Sequence, residues 1–396
     1  MKRPVAISGA GCLCAAGMTL AESFAALLRG QRNPLPPVAF RSEQADNYPV
    51  FEILRPLPAA AADRELLRTT RLAICAALEA LADAGLEPAR LRGLKVGVCI
   101  GTSVGSAMNN EEFYRDFRAG GDPPLAAIDR YLRSNPAAAL ARFLDLDGPC
   151  QTVVNACSSG TDAIGLGAAW IRGGLCDMVL AGGADELCRT TYNGFASLMI
   201  TDSQPCRPFD AFRRGLNLGE GAGLLVLESD SLLAERRQRA RGFVLGYGSA
   251  SDAYHLTAPH PEGSGLRRAL REALSSAGVA AGQIAFINAH GTGTPDNDRT
   301  ESRVLAELFP GIPFVATKCF TGHTLGAAGA IEAALTLASL EQQRLPGNIG
   351  LTTPDPDLPA HPLAETGDCA GTLALSQSLA FGGNNSALLL GLEAPR

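Results

Sequence analysis

Val153–Ala169 reads VVNACSSGTDAIGLGAA, and Phe314–Ala330 reads FVATKCFTGHTLGAAGA. Laid over one another at a shift of 319 − 157 = 162 positions, Cys157 falls on Cys319 and Gly160 on Gly322. Each stretch starts as an apolar strand, turns, and runs on into an Ala/Gly-rich helix. The echo extends in both directions. The helical stretch Leu72–Gly85 leads to the strand Lys95–Ile100 and then Gly101-Thr102, as Leu266–Gly278 leads to Ile284–Ile287 and then His290-Gly291-Thr292. Further on, AGLLVLE (Ala222–Glu228) is matched by SALLLGLE (Ser386–Glu393). Such self-similarity implies two related α/β halves, 1–240 and 241–396, each too open to cover its own sheet. The strands are near-continuous apolar runs, the pattern of sheets covered on both faces. A layered α/β/α/β/α body with buried central helices is expected.

Composition fits this. The 396 residues suffice for a large core, and the chain is 46% hydrophobic, with 44 glycines and 25 prolines spread along it. A net charge of −6, from 34 basic and 40 acidic residues, argues against non-specific nucleic-acid binding. The eleven cysteines include no C-x-x-C pair. The closest two, Cys12 and Cys14, are too near for an ordinary disulfide or a zinc knuckle, and the odd count suggests no disulfide framework. A reduced, cytoplasmic protein is expected.

Two N-terminal signals are decoys. Met1-Lys2-Arg3 before an apolar run resembles a secretory leader, but Gly9, Gly11 and Gly17 break the run, and no membrane-length segment occurs. A strand at Val5–Ser8, a glycine turn and a helix from about Leu20 are expected instead. Gly9-Ala10-Gly11 begins like a dinucleotide fingerprint, but Cys14 stands at the third glycine position. Leu28-Arg29-Gly30 then occupies the place of the acidic ribose ligand.

The chemistry centres on Cys157. A strand over Thr152–Asn155 delivers it to the start of a helix over Ser158–Arg172, where the helix dipole favours a thiolate. Ala156, Ser158, Ser159 and Gly160 are small enough to admit a substrate carbonyl, the logic of a nucleophile elbow. Of five histidines, His290 and His323 end strands in glycine-rich turns, where α/β proteins place their sites. No H-x-x-x-H or Cys/His cluster marks a metal site.

NACSSG, RPFDAFRRGLNLGEGAG (Arg207–Gly223), AHGTGTPDNDRTE (Ala289–Glu301), TKCFTGHTLGAAGAIEA (Thr317–Ala333) and AFGGNN (Ala380–Asn385) occur in this order. Together they resemble the β-ketoacyl-acyl-carrier-protein synthases, of the synthase I/II type in the thiolase superfamily, over nearly the whole chain. The resemblance implies a thiolase-like, duplicated five-layer fold and a decarboxylative condensation. Cys157 would hold an acyl group as a thioester, and the main-chain N–H groups of Cys157 and Phe381 would form the oxyanion hole. His290 and His323, as neutral donors, would stabilise the enolate formed when malonyl carrier protein loses carbon dioxide. Lys318 would sit behind them, paired with Glu301, because an unpaired buried ammonium is costly.

Thr292 and Thr294 would bind the phosphopantetheine arm, and Phe381 would gate the two half-reactions. Val104 and Phe195 would line the acyl pocket. The resemblance implies no cofactor of the chain's own, since the carrier protein brings its phosphopantetheine. The partners would be acyl carrier protein and a second subunit, in a homodimer or a ketosynthase/chain-length-factor heterodimer. Arg68 and Arg71 align with a basic docking segment, although Thr69-Thr70 between them departs from the family. Ala380 and Asn384 replace a common glycine and threonine, and RRGLNLGEG looks closer to stand-alone polyketide and aryl-polyene synthases. The rival reading is a non-catalytic, chain-length-factor-like subunit, which would lack the cysteine.

Overall fold

The computed structural model describes residues 3–43, 48–61 and 65–394. Five strands belong to the first half: β1 (Val5–Cys14), β2 (Val96–Gly101), β3 (Cys150–Val153), β4 (Met178–Asp185) and β5 (Gly221–Glu228). The second half holds β6 (Gly242–Ser251), β7 (Phe286–Asn288) and β8 (Phe314–Val315). After the small pair β9 (Arg344–Leu345) and β10 (Gly367–Asp368) come β11 (Leu373–Ala380) and β12 (Asn384–Gly391). The main sheet runs β3-β2-β4-β5-β1-β6-β12-β11-β7-β8. Read from its centre outward, each side has the same order and the same parallel and antiparallel pairings. The duplication read from the sequence is therefore a duplication of topology. The halves meet along a short seam between β1 and β6, over Val5–Ile7 and Gly242–Val244.

The helices Ser159–Arg172 and Ala328–Gln342 lie back to back in the central layer. The second is buried from Ala328 to Leu340 without a break, as expected of a helix enclosed on all sides. Glycine sets how closely the two approach. A Cβ on Gly329 would lie 1.9 Å from Thr161 Oγ1, and one on Gly160 would lie 2.8 Å from the Gly326 carbonyl oxygen.

Outer helices cover the far faces, and here the strand expected at Val5–Ser8 is longer. It continues through Gly9 and Gly11 to Cys14. The two glycines do not turn the chain; they let the helix Arg68–Asp83 lie against the strand. Added Cβ atoms would sit 2.1 Å from the carbonyl oxygens of Ala80 and Ala76. Gly246 and Gly248 on β6 do the same for the helix Ser264–Ala277, at 2.0 and 2.1 Å from Ala273 and Ala269. The glycine pair is thus part of the repeat.

The repeat fails at one place. Val153 and Val315 end matching strands, 162 positions apart, but the central helices start at Ser159 and Ala328. Seven extra residues in the second half form the separate short helix Lys318–Thr321 and the turn after it. Cys319 therefore does not occupy the scaffold position of Cys157: only Cys157 leads directly into its helix.

Candidate active site

Cys157 stands between the end of β3 and the first turn of the central helix Ser159–Arg172, and is 4% exposed. The approach is strained, with Ala156 at φ 49°, a region disfavoured for residues with a Cβ. Hydrogen bonds hold the turn in place. Ser159 Oγ donates to the Ala156 carbonyl at 2.6 Å and accepts from Asn155 N–H at 2.8 Å. Asp162, one helical turn beyond Ser158, accepts from Ser158 Oγ at 2.8 Å, Asn155 Nδ2 at 2.6 Å and Tyr247 Oη at 2.8 Å. It also receives Ser386 Oγ, so it ties the elbow to both β6 and β12. The sequence reading missed Asp162; its signal was the Ser158/Asp162 spacing at i, i+4.

The expected thiolate is not the resting form. Burial pushes the Cys157 thiol up to about 11, and the opposing influences of the Lys318 charge and the Phe381 main-chain N–H do not offset it. The desolvation of a fully enclosed sulfur outweighs the helix terminus. The Phe381 N–H nonetheless lies near enough to the sulfur to favour its charged form. The 3-10 turn Phe381–Gly383 presents it, with Gly382 and Gly383 at φ 82° and 77°.

The histidines come from the other half. His290 follows β7, and His323 follows the short helix Lys318–Thr321. Their rings meet edge to face, with centroids 5.2 Å apart. Each Nδ1 already has a donor: Lys318 Nζ lies 2.9 Å from that of His290, and Leu325 N–H lies 3.2 Å from that of His323. Both rings must then carry their proton on Nε2. Burial, reinforced by the Lys318 charge, holds both well below the ordinary histidine range, so both are neutral N–H donors at pH 7.

Lys318 is 1% exposed and also donates to the His290 carbonyl at 2.7 Å. Its anionic partner is Glu332, not Glu301. Glu332 lies 14 residues on in the central helix, and the sequence reading did not single it out. Burial lifts its carboxyl to about 7, and its Oε2 has no hydrogen-bond partner. Glu301 instead accepts the main-chain N–H groups of His290 and Gly291, at 2.5 and 2.7 Å, and Gln377 Nε2 at 2.6 Å. It shapes the turn that carries the histidine.

A cleft of about 140 Å³ opens over these groups, lined by Cys157, His290, His323, Thr292, Thr294, Phe195 and Phe381 among others. Thr292 and Thr294 bond each other at 2.9 Å. Val104 is not in its wall; it packs with Phe195 in an apolar cluster that includes Leu216 and Tyr192. Below Val104, Asp185 at the end of β4 accepts from Thr102 Oγ1 at 2.5 Å and from the N–H groups of Ser103 and Gly326, each at 2.7 Å. It clamps the loop after β2 to the His323 loop of the opposite half. Arg68, a candidate for carrier-protein docking, is held from within the fold. Its guanidinium is committed to the buried Glu220, while Arg71 Nε bonds the Ala61 carbonyl at 2.7 Å.

Among the described residues, no group of three or more His, Cys, Asp or Glu side chains could hold a metal, and no helix is long and apolar enough to cross a membrane.

The family model "Beta-ketoacyl synthase, N-terminal domain" matches residues 2–232, and "Beta-ketoacyl synthase, C-terminal domain" matches 241–352. The chain is 32% identical to the 3-oxoacyl-[acyl-carrier-protein] synthase 2 of Synechocystis sp., over 98% of this chain and 97% of the relative. It is similar to a solved structure described as "The ishigamide ketosynthase/chain length factor", with a TM-score of 0.91, 32% identity and 99% of each chain covered. A ketosynthase (ApeO) in complex with its chain length factor (ApeC) from Xenorhabdus doucetiae gives a TM-score of 0.86 at 31% identity, covering 99% of this chain and 98% of that one.

Proposed function

The chain belongs to the β-ketoacyl synthase family, condensing acyltransferases of thiolase-like fold, and on that premise we propose how its residues divide the reaction. Cys157 accepts an acyl group from acyl carrier protein. Its own N–H and that of Phe381 hold the oxyanion. Malonyl carrier protein then enters along Thr292 and Thr294. His290 and His323 donate their Nε2 protons to the carbonyl oxygen of the malonyl thioester. As carbon dioxide leaves, that oxygen takes up the charge of the enolate, and the enolate carbon attacks the Cys157 thioester. Two neutral donors aimed at one developing oxyanion stabilise the transition state without losing a proton.

The observation that carries this reading is the pairing of an enclosed cysteine from one half with two neutral histidines from the other, each with Nδ1 already occupied. The same observation counts against a non-catalytic, chain-length-factor-like subunit. The pathway is fatty acid elongation, or polyketide or aryl-polyene chain elongation. No cofactor of the chain's own takes part. Free cysteines at all eleven positions support a cytoplasmic setting. The second subunit, a copy of this chain or a chain-length factor, docks on the open edge of β3, beside the 67%-exposed Val154.

The test is substitution. Cys157→Ala abolishes acyl-enzyme formation and condensation, whereas Cys319→Ala retains both within a few-fold. Mass spectrometry of the protein after exposure to acyl carrier protein, with release of carbon dioxide from malonyl carrier protein, reads both. The reverse pattern would sink the assignment.

A further inference from the structure

The helix Arg189–Ser197 carries Phe195 to the cleft, yet its sequence, RTTYNGFAS, is a poor helix former. Two β-branched threonines, an asparagine and Gly194 all disfavour the helical state, and nine residues are too few to sustain it alone. Cys188 at its start supplies no side-chain cap. Gly194 is exposed, and a Cβ there would meet nothing within 4 Å, so no close approach calls for a glycine. The position of Phe195 therefore depends on what grips this helix from outside.

Two grips are present. At the start of the helix, Arg189 is ion-paired with Glu111. In its middle, one turn before Phe195, stands the buried Tyr192. It packs against the long connection between the helices Leu20–Leu28 and Arg68–Asp83. Tyr192 Oη accepts the Tyr48 N–H at 2.9 Å and donates to the Tyr48 carbonyl at 3.3 Å. The rings of Phe40 and Tyr48 meet its ring edge to face, with centroids 5.4 and 6.3 Å away. The next residue, Asn193, accepts Ser42 Oγ at 2.7 Å. The connection is itself anchored: Leu35 and Val50 exchange main-chain hydrogen bonds, and the Phe51 N–H donates to the Leu218 carbonyl at 2.8 Å. Tyr192, Val50 and Leu218 share one apolar cluster with Phe195 and Leu216, the two members that face the cleft. Tyr192 itself does not line the cleft.

We propose that Tyr192 is a specificity-determining positioning residue, which clasps this weak helix to the connection and so sets how long an acyl chain Phe195 admits to Cys157. The proposal rests on the reading of Cys157 as the acyl carrier. Removing the hydroxyl leaves the Tyr48 N–H and carbonyl without this partner and halves the grip. The helix then yields around Gly194, and Phe195 gives way towards the cluster behind it, which opens apolar room for longer chains.

Hexanoyl and tetradecanoyl carrier proteins are presented to the intact protein, and acyl-enzyme formation on Cys157 is followed by mass spectrometry. In Tyr192→Phe, the ratio of tetradecanoyl to hexanoyl loading is expected to rise at least threefold over the parent. Gly194→Ala stiffens the helix without a clash and should lower that ratio. A general loss of stability would not move the two variants in opposite directions. A rise of less than threefold in Tyr192→Phe, or any rise in Gly194→Ala, overturns the proposal. If neither donor loads Cys157 in the parent, the reading beneath it fails instead. Amide hydrogen exchange of the segment 189–199 then decides the clasp. It is expected to be at least tenfold faster in Tyr192→Phe and slower in Gly194→Ala, and unchanged exchange in Tyr192→Phe overturns the proposal.

Discussion

The rings of Phe195 and Phe381 stack with centroids 5.4 Å apart and planes 13° from parallel. Phe195 comes from the helix Arg189–Ser197 of the first half, and Phe381 from the turn between β11 and β12 of the second. Their contact therefore spans the cleft. It contributes about 0.5–1.5 kcal/mol, enough to hold the Phe381 ring in place and little enough for an acyl chain to displace it. In Phe195→Ala, bulky or branched acyl donors are expected to load Cys157 as fast as straight ones. Condensation should fall less than tenfold, since the Phe381 N–H is main chain. Time courses of acyl-enzyme formation check this, and an unchanged donor preference would remove the stack from the selection.

The two buried carboxyls near Lys318 have different duties, and substitution separates them. Glu332→Gln leaves an unpaired ammonium at 1% exposure. Breaking a buried pair from one side costs about 3–5 kcal/mol, so the melting temperature should drop sharply and malonyl decarboxylation should fall at least a hundredfold. Glu301→Gln keeps the Lys318 pair and loses charge only at the His290 turn, so its effect on decarboxylation is smaller. Equal losses in both variants would contradict the assignment of Glu332 as the partner.

Cys157 should alkylate as an enclosed neutral thiol. With the group pushed up to about 11, its thiolate fraction rises with pH throughout the neutral range. Iodoacetamide modification of Cys157 is therefore expected to accelerate about tenfold per pH unit between 7 and 9. A plateau below pH 9 would mean that the helix terminus prevails over burial. The histidines add no step in this range, because both stay neutral above pH 7.

Glu186, next to Asp185, gives a pH test of stability. Burial raises its carboxyl to about 8, although Ser106 Oγ donates to it at 3.0 Å. The folded protein thus holds a proton that the unfolded chain releases near the ordinary carboxyl range. Stability linked to this group is complete below that range and is lost as pH climbs to about 8. Glu186→Gln removes the dependence. The urea midpoint of the variant should exceed that of the parent by a margin that widens from pH 5 to pH 8 and then levels off. A margin independent of pH would show that Glu186 is ionised in the fold.

Much of this was legible in one sequence because duplication writes the same constraint twice. The apolar strands, the Ala/Gly-rich central helices and the NACSSG elbow each left a local signature. The partner of Lys318 did not, since Glu301 and Glu332 are both acidic residues in helices, and only packing decides which one faces the ammonium. The charge state of Cys157 was misread because a sequence shows the helix start but not the enclosure around the sulfur. Gly9 and Gly11 were taken for a turn because a glycine that admits a neighbouring helix looks, in one dimension, like a glycine that bends the chain. Glu186 gave no sign beyond being acidic.

The sheet seam has a consequence for ancestry. The nucleophile lies on one side of the β1–β6 junction and both proton donors on the other. Neither side alone could join two acyl groups. A forebear with one such unit would have needed two chains side by side, and fusing them turned a meeting between molecules into a fixed feature of one polypeptide. Once fused, each half was free to specialise, one keeping the nucleophile and the other the two proton donors.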